Sequence, residues 1–210
     1  MDNTLVNINC VDKKAKSDTL IELQNVCNQC KACELSKTRT SVVFSDGDAD
    51  APIMLIGEAP GADEDASGTP FVGRAGQLLN VFLKDTGINR KNDIYICNTI
   101  KCRPPQNRVP TNEEKLACRR YLMGQISIIK PKIILLCGST AAQSFIDQDF
   151  KISAIRGKWL NIFENIDTMA IFHPSYLLRN HSLEEGSPRW LMKKDLLTVK
   201  ARLEELSRKI

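Results

Sequence analysis

Apolar positions along the chain follow two rhythms. The segments Pro52–Gly57 (PIMLIG), Asp93–Ile100 (DIYICNTI), Lys132–Gly138 (KIILLCG) and Thr168–Phe172 (TMAIF) are short runs with little polar interruption. Each reads as a strand buried on both faces. Between them the spacing turns helical. Asp18–Asn28 places Leu20, Leu23 and Val26 toward a core, and Gly76–Thr86 stops at Gly87, a glycine of the kind that ends helices. Thr111 followed three residues on by Glu114 forms a capping-box pattern for a helix running to about Ile129, before Pro131. Ser139–Ile146 predicts a short helix, Trp159–Phe163 a small edge strand, and the stretch from about Arg189 a charged amphipathic helix. Strands alternating with helices predict an α/β fold: a three-layer α/β/α sandwich on a central, mainly parallel four-stranded sheet. Residues 1–17 are polar and read as a loosely ordered segment, leaving 18–210 as a single domain.

This architecture directs attention to one place. In open parallel sheets, ligands bind beyond the carboxyl ends of the strands. Glu58 follows the first strand, Asn98 lies near the end of the second, and His173 directly follows the fourth. Three polar side chains distant in sequence are thereby expected in one crevice. The loop 58–72 is punctuated by glycine and proline, with Gly57 and Gly61 allowing close approach of backbone to a ligand.

Composition narrows the class. A chain of 210 residues with 42% hydrophobic and 26% charged residues is ordinary for one globular domain. The net charge of +4 permits a polyanionic partner without requiring one. Its distribution is uneven: an acidic stretch around Asp46–Asp65 contrasts with a basic one at Lys101, Arg103, Arg108, Arg119 and Arg120, and another at Arg179, Arg189, Lys193 and Lys194. Such stretches are either solvated faces or a surface that tracks phosphates. No signal-peptide core and no long apolar run is visible, so the expectation is a cytoplasmic protein without a membrane partner.

Eight cysteines in such a chain do not suggest a disulfide framework. Cys97 and Cys137 sit inside apolar runs and read as core residues, and Cys10 falls in the polar N-terminus. Cys30 and Cys33 form a C-x2-C pair, with Cys27 one helical turn earlier, while Cys102 and Cys118 are separated by fifteen residues. Spacing alone leaves zinc and an iron–sulfur cluster both open, since four thiolates suit either.

Taken together, the C-x2-C pair, VVF (Val42–Phe44), GEAPG (Gly57–Gly61), GTPFVGRAGQLLN (Gly68–Asn80), YICNTIKCRPPQNRVPT (Tyr95–Thr111), Cys118, IRGKW (Ile155–Trp159) and HPSYLLRN (His173–Asn180) are collinear segments. This ordered set resembles the family 4, iron–sulfur uracil-DNA glycosylases, from about Cys30 to Leu196. The resemblance implies hydrolysis of the N-glycosidic bond of deoxyuridine in single- or double-stranded DNA by a monomer, leaving an abasic site. It implies a 4Fe–4S cluster held by Cys30, Cys33, Cys102 and Cys118, with Cys27 a spare.

The resemblance also distributes roles. His173 would donate to uracil O2 as negative charge develops there, although a lone histidine after a strand is more often structural. Glu58 would position or activate the attacking water, and backbone around Gly57, Ala59 and Gly61 would contact the base. Phe71 would stack on the extruded uracil, Asn98 would read its O4 and N3–H, and Glu64 would exclude a C5 methyl group. Arg103, Arg108 and Arg179 would meet phosphate, and Leu177 or Leu178 would fill the space left in the stack. Relatives that become trapped on DNA use a histidine in a basic insertion; RPPQNRVP (Arg103–Pro110) has none, which implies ordinary turnover. Two other readings fit the residues less well: an inert nucleic-acid-binding module stapled by metal, and a redox protein using the cysteines.

Overall fold

The computed structural model describes residues 13–146 and 149–208. Its helices and strands alternate along the chain: α1 (Lys13–Asn28), β1 (Ile53–Gly57), α2 (Ala62–Ser67), α3 (Arg74–Asp85), β2 (Ile94–Asn98), α4 (Asn112–Ile129), β3 (Ile133–Cys137), α5 (Ser139–Gln143), α6 (Ile152–Ile155), β4 (Trp159–Phe163), β5 (Ile166–Ile171), α7 (Pro174–Leu177) and α8 (Pro188–Arg208). The sheet has five strands in the order β2-β1-β3-β5-β4. All neighbours pair in parallel except β4, which runs antiparallel to β5 with an irregular register between Leu160 and Phe163. The four-strand expectation is corrected by β4. It lies at the sheet edge, its side chains only partly covered, so it lacks the continuous apolar signature of the other four.

Side chains of the central strands point alternately to two cores. Ile53, Leu55, Ile96, Leu135 and Ile171 pack with Leu79 and Phe82 of α3 and with Leu196 and Val199 of α8. Met54, Ile56, Tyr95, Leu136 and Ala170 face the other way, against Leu20 of α1 and Tyr121 and Ile126 of α4. That is the three-layer sandwich. Each Leu, Ile, Val, Met or Phe side chain among these contributes about 1.5–3 kcal/mol on burial. A third, small cluster of Leu35, Ile100 and Cys102 lies beneath Cys33 and Cys118.

Local signals account for most element ends. Thr111 Oγ1 accepts from the Glu114 N–H at 3.2 Å, and Glu114 Oε2 accepts from the Thr111 N–H at 2.9 Å, completing the anticipated capping box. Helix α1 begins at Lys13, five residues before the expected start, because its first turn is polar and carries no apolar periodicity. Cys10 and the rest of residues 1–12 lie outside the described residues.

At the carboxyl ends, β1 delivers Gly57, β2 delivers Asn98, β3 delivers Cys137 and β5 leads into His173. Gly57 and Asn98 are direct partners in the β1–β2 register. From β1 the chain proceeds to β2 on one side and later to β3 on the other, which makes the β1/β3 boundary the point where connections diverge and a crevice opens.

Candidate active site and cysteine cluster

A cleft of about 500 Å³ occupies that crevice. Its walls include Glu58, Ala59, Gly61, Glu64, Phe71, Asn98, Arg108, Gly138, His173 and Ser175. Seven of the eight anticipated catalytic and base-contacting positions thus stand around one space; the eighth, Gly57, lies against Asn98 and Phe71 rather than in the wall.

Asn98 forms the floor. It is 2% exposed, and its Oδ1 is buried with no hydrogen-bond partner among the described residues. Buried polar atoms are almost always paired, which makes this unpaired oxygen, on a residue that lines the cleft, an exception. Gly57 makes room for it: a Cβ there would lie 2.4 Å from Asn98 Oδ1 and 2.7 Å from Phe71 Cζ.

Phe71 is held in an unfavourable backbone conformation, φ 54°, for a residue with a bulky side chain. Its surroundings over-determine it. Arg90 donates through Nη2 to Pro70 O at 2.9 Å and through Nη1 to Phe71 O at 3.2 Å, and is itself paired with Asp46. On the following residues, Glu64 Oε1 accepts from the N–H groups of Val72 (3.0 Å) and Gly73 (2.8 Å), and Oε2 from Gly61 at 3.1 Å. The Glu64 carboxylate is therefore a fixed part of the wall, tied to both glycine-bearing turns. The Phe71 ring stands 5.8 Å from the His173 ring.

His173 caps α7. Its Nδ1 accepts from the Ser175 N–H at 3.2 Å and lies 2.8 Å from Ser175 Oγ. With Nδ1 accepting, the proton of a neutral ring resides on Nε2. Burial lowers the His173 pKa from 6.5 to about 4, against a smaller opposing effect of Glu64. At neutral pH the ring is an uncharged donor. Gly138, at φ 94°, packs beside the His173 Cβ and closes this side of the cleft. Glu58 is half-buried, and its carbonyl accepts from Thr99 Oγ1 at 2.6 Å and from the Ile100 N–H at 3.3 Å, fixing the start of the loop to β2.

The anticipated DNA contacts are less uniform. Arg179 is exposed. Arg103 is half-buried and donates to Asn107 Oδ1 at 2.8 Å. Arg108 borders the cleft but forks onto Glu114, at 2.9 and 2.6 Å, so it fastens the 103–110 loop to α4. Leu177 is 0% exposed within the core, which contradicts its placement in a DNA groove. The turn of α7 points it inward and leaves Tyr176, 40% exposed, and half-buried Leu178 nearer the surface.

A second, smaller cavity lies behind the cleft, lined by Cys27, Cys30, Cys33, Cys102 and Cys118 together with Arg39, Lys101 and Tyr121. All five sulfurs are free thiols. Arg39 Nη1 donates to Cys102 Sγ at 3.1 Å, and Arg120 Nη2 to Cys30 Sγ at 3.6 Å. Burial pushes Cys118 up to about 11 and Cys27 up to about 12. Burial also raises Cys30, but hydrogen bonds from Tyr121, the Ala32 backbone and Arg120 outweigh it and bring that thiol below its ordinary value. Among the described residues no group of three or more His, Cys, Asp and Glu is arranged around a point suited to a single metal ion.

Sequence reasoning missed Arg90 and Ser175, and it placed Lys101 in a basic surface stretch whereas the structure buries it completely. Each acts on a main-chain group or on another residue's ring, and none belongs to a periodic pattern.

Comparison with known proteins bears on this geometry. Residues 44–197 match the family model described as the Uracil DNA glycosylase superfamily. The chain is 48% identical over 157 residues to the type-4 uracil-DNA glycosylase of Thermotoga maritima, covering 74% of this chain and 81% of that protein. It is 42% identical over 163 residues to the type-4 enzyme of Archaeoglobus fulgidus, with the same shares of each chain. The type-4 enzyme of Pyrobaculum aerophilum is 37% identical over 171 residues, 78% of this chain and 87% of its own length.

Proposed function

The chain belongs to the uracil DNA glycosylase superfamily, and we propose from that premise how its cleft works. The protein is a uracil-DNA glycosylase, a hydrolase of N-glycosidic bonds in DNA repair. The observation that carries the mechanistic reading is the orphaned Asn98 Oδ1, buried at the floor of a cleft whose walls include Phe71 and His173.

The target base leaves the stack and enters the cleft. Phe71, held rigid by Arg90 and by the Glu64-tied turn that follows it, offers a flat face on which the base lies. Asn98 Oδ1 accepts from N3–H, and the amide nitrogen donates to O4. Cytosine presents the reverse pattern and leaves both groups unpaired, at about 1–3 kcal/mol each. Glu64, immobilised by three amides, forms the wall that meets C5 and disfavours a methyl group there.

Bond cleavage leaves electrons on the departing uracil and positive character on the sugar. Neutral His173 donates from Nε2 to O2, where the negative charge develops. A donor placed at that position is worth about 10²–10³ in rate. Glu58 sits at the sugar end, where its carboxylate orients water toward C1′.

The donor set of the second cavity fits an iron–sulfur cluster. Thiols surrounding a space suit a polynuclear core, whereas one zinc ion draws four sulfurs to about 2.3 Å of a single centre. Arg39, Lys101 and Arg120 supply positive charge beside the thiolates that ligation requires. Cys30, Cys33, Cys102 and Cys118 are the residues assigned to a 4Fe–4S cluster, with Cys27 the spare. Bound there, a cluster would cross-link the segment after α1, through Cys30 and Cys33, to Cys102 and to Cys118 on α4, the two ends of the stretch whose Arg108 borders the cleft.

The test is release of uracil from single- and double-stranded oligonucleotides, read as alkali-labile abasic sites, with His173→Ala alongside. Uracil release slowed at least about a hundredfold by the substitution is expected. Equal rates for the two proteins would remove His173 from the mechanism. No release by cluster-loaded wild type on either strand form would overturn the whole reading.

A further inference from the structure

Lys101 is buried to 0% exposure, rare for a residue that carries an ammonium group. Its Nζ donates to the backbone oxygen of Asn98 at 2.8 Å and to Gln125 Oε1 at 2.6 Å. Gln125, also buried, donates onward to Phe44 O at 3.1 Å and Tyr95 Oη at 3.0 Å. The Phe44 ring centroid lies 5.8 Å from Nζ, and the Cys97 thiol is within hydrogen-bonding reach. On the other side, Lys101 lines the cysteine cavity together with Cys102 and Cys118. One residue therefore touches both the strand end bearing the uracil-reading amide and the cavity of thiols.

The oxygen acceptors solvate this charge but do not balance it. An unbalanced charge taken fully out of water is costly unless an opposite one stands near. Four thiolates around an iron–sulfur core carry net negative charge, and their cavity is the one Lys101 borders. We propose that Lys101 is a positioning residue: the anionic cluster holds its ammonium group, and the ammonium group, through Asn98 O, holds the end of β2 in register for reading uracil. The inference rests on the cluster reading above. It makes the cluster a determinant of base recognition through electrostatics as well as through cross-linking.

Two consequences separate charge from tether. A cation beside a cluster stabilises the more negative, reduced state, so removing it lowers the reduction potential. Loss of the bond to Asn98 O loosens the reader, so it raises KM for uracil-containing DNA. Lys101→Met removes charge and tether together. Lys101→Gln removes the charge but keeps an amide able to donate. Gln125→Glu keeps Lys101 and neutralises it locally with a near-isosteric carboxylate.

The experiment uses anaerobically prepared, cluster-loaded protein. It reads iron and sulfide content, visible spectrum and midpoint potential for each variant, and KM and kcat for the two Lys101 variants. All three substitutions are expected to lower the potential. Lys101→Met is expected to raise KM about tenfold, roughly one hydrogen bond's worth, with a smaller rise for Lys101→Gln. If Lys101→Met fails to fold, the milder two still decide the electrostatic half. A full complement of iron with unchanged potential in the folded variants overturns the inference alone. A wild type that binds no iron overturns the cluster reading and the inference with it.

Discussion

Gly57→Ala is the sharpest perturbation the cleft offers, because it adds one methyl group at a known place. Gly57 does not occupy the left-handed region, so alanine brings no backbone strain there. The effect is one of space. The new Cβ would lie 2.4 Å from Asn98 Oδ1, 2.7 Å from Phe71 Cζ and 2.8 Å from Phe71 Cε2. Non-bonded carbon contacts settle at about 3.5–4.0 Å, so the methyl overlaps the ring by roughly 1 Å. Both neighbours are almost fully buried, and Arg90 holds the backbone at Pro70 and Phe71, so they have little freedom to retreat. Overpacking of this kind costs about 1–3 kcal/mol of stability. The larger consequence is functional. Turning the Asn98 amide aside unpairs N3–H and O4, at about 1–3 kcal/mol per group, or about 5- to 150-fold in kcat/KM for each. The assay is steady-state uracil release, with thermal unfolding measured in parallel. The loss should appear largely in KM, and the margin between uracil and cytosine should narrow. A folded Gly57→Ala enzyme whose kcat/KM stays within about twofold of wild type would refute the placement of Asn98 and Phe71 about the base.

Three further outcomes follow from groups already described. His173 should show no protonation in ring NMR between pH 8 and pH 5, with His181→Ala used to assign its signal; a midpoint near 6.5 would contradict its burial-driven value of about 4. The same depression has a stability sign: the unfolded chain takes up the proton near 6.5 and the folded chain only near 4. Stability contributed by His173 is therefore present above 6.5 and lost as pH falls through 4, by at most about 3 kcal/mol; denaturation of wild type and His173→Gln at pH 7 and pH 4.5 measures it. In the second cavity, Cys27→Ser should retain wild-type iron content and Cys118→Ser should not; iron lost equally from both would make Cys27 a ligand.

What could be read in the sequence follows from which forces leave a linear trace. Strands β1, β2, β3 and β5 did, because burial on both faces demands consecutive apolar residues. Edge strand β4 left a weaker one, since its partly covered side chains need no such run. Asn98 and His173 were legible for a topological reason: parallel strands all present their carboxyl ends to the same side, so a polar residue just past an apolar run is pre-assigned to the crevice. The supports of those residues were not legible. Arg90 acts on Phe71 O from nineteen positions away, and Lys101 on Asn98 O from inside the core; carbonyl oxygens carry no residue-specific signature to pair with. Leu177 shows the complementary failure. Two adjacent leucines in HPSYLLRN are equivalent on a page, but successive helical residues differ by about 100° in direction, so one turn decides that the first is core and the second is nearer solvent. The apolar side chain available to replace an extruded base is accordingly not Leu177 in this conformation. In the proposed mechanism Leu178 or Tyr176 would take that place, or α7 would turn when DNA binds, at the cost of exposing a residue now buried in the core that α3 and α8 share.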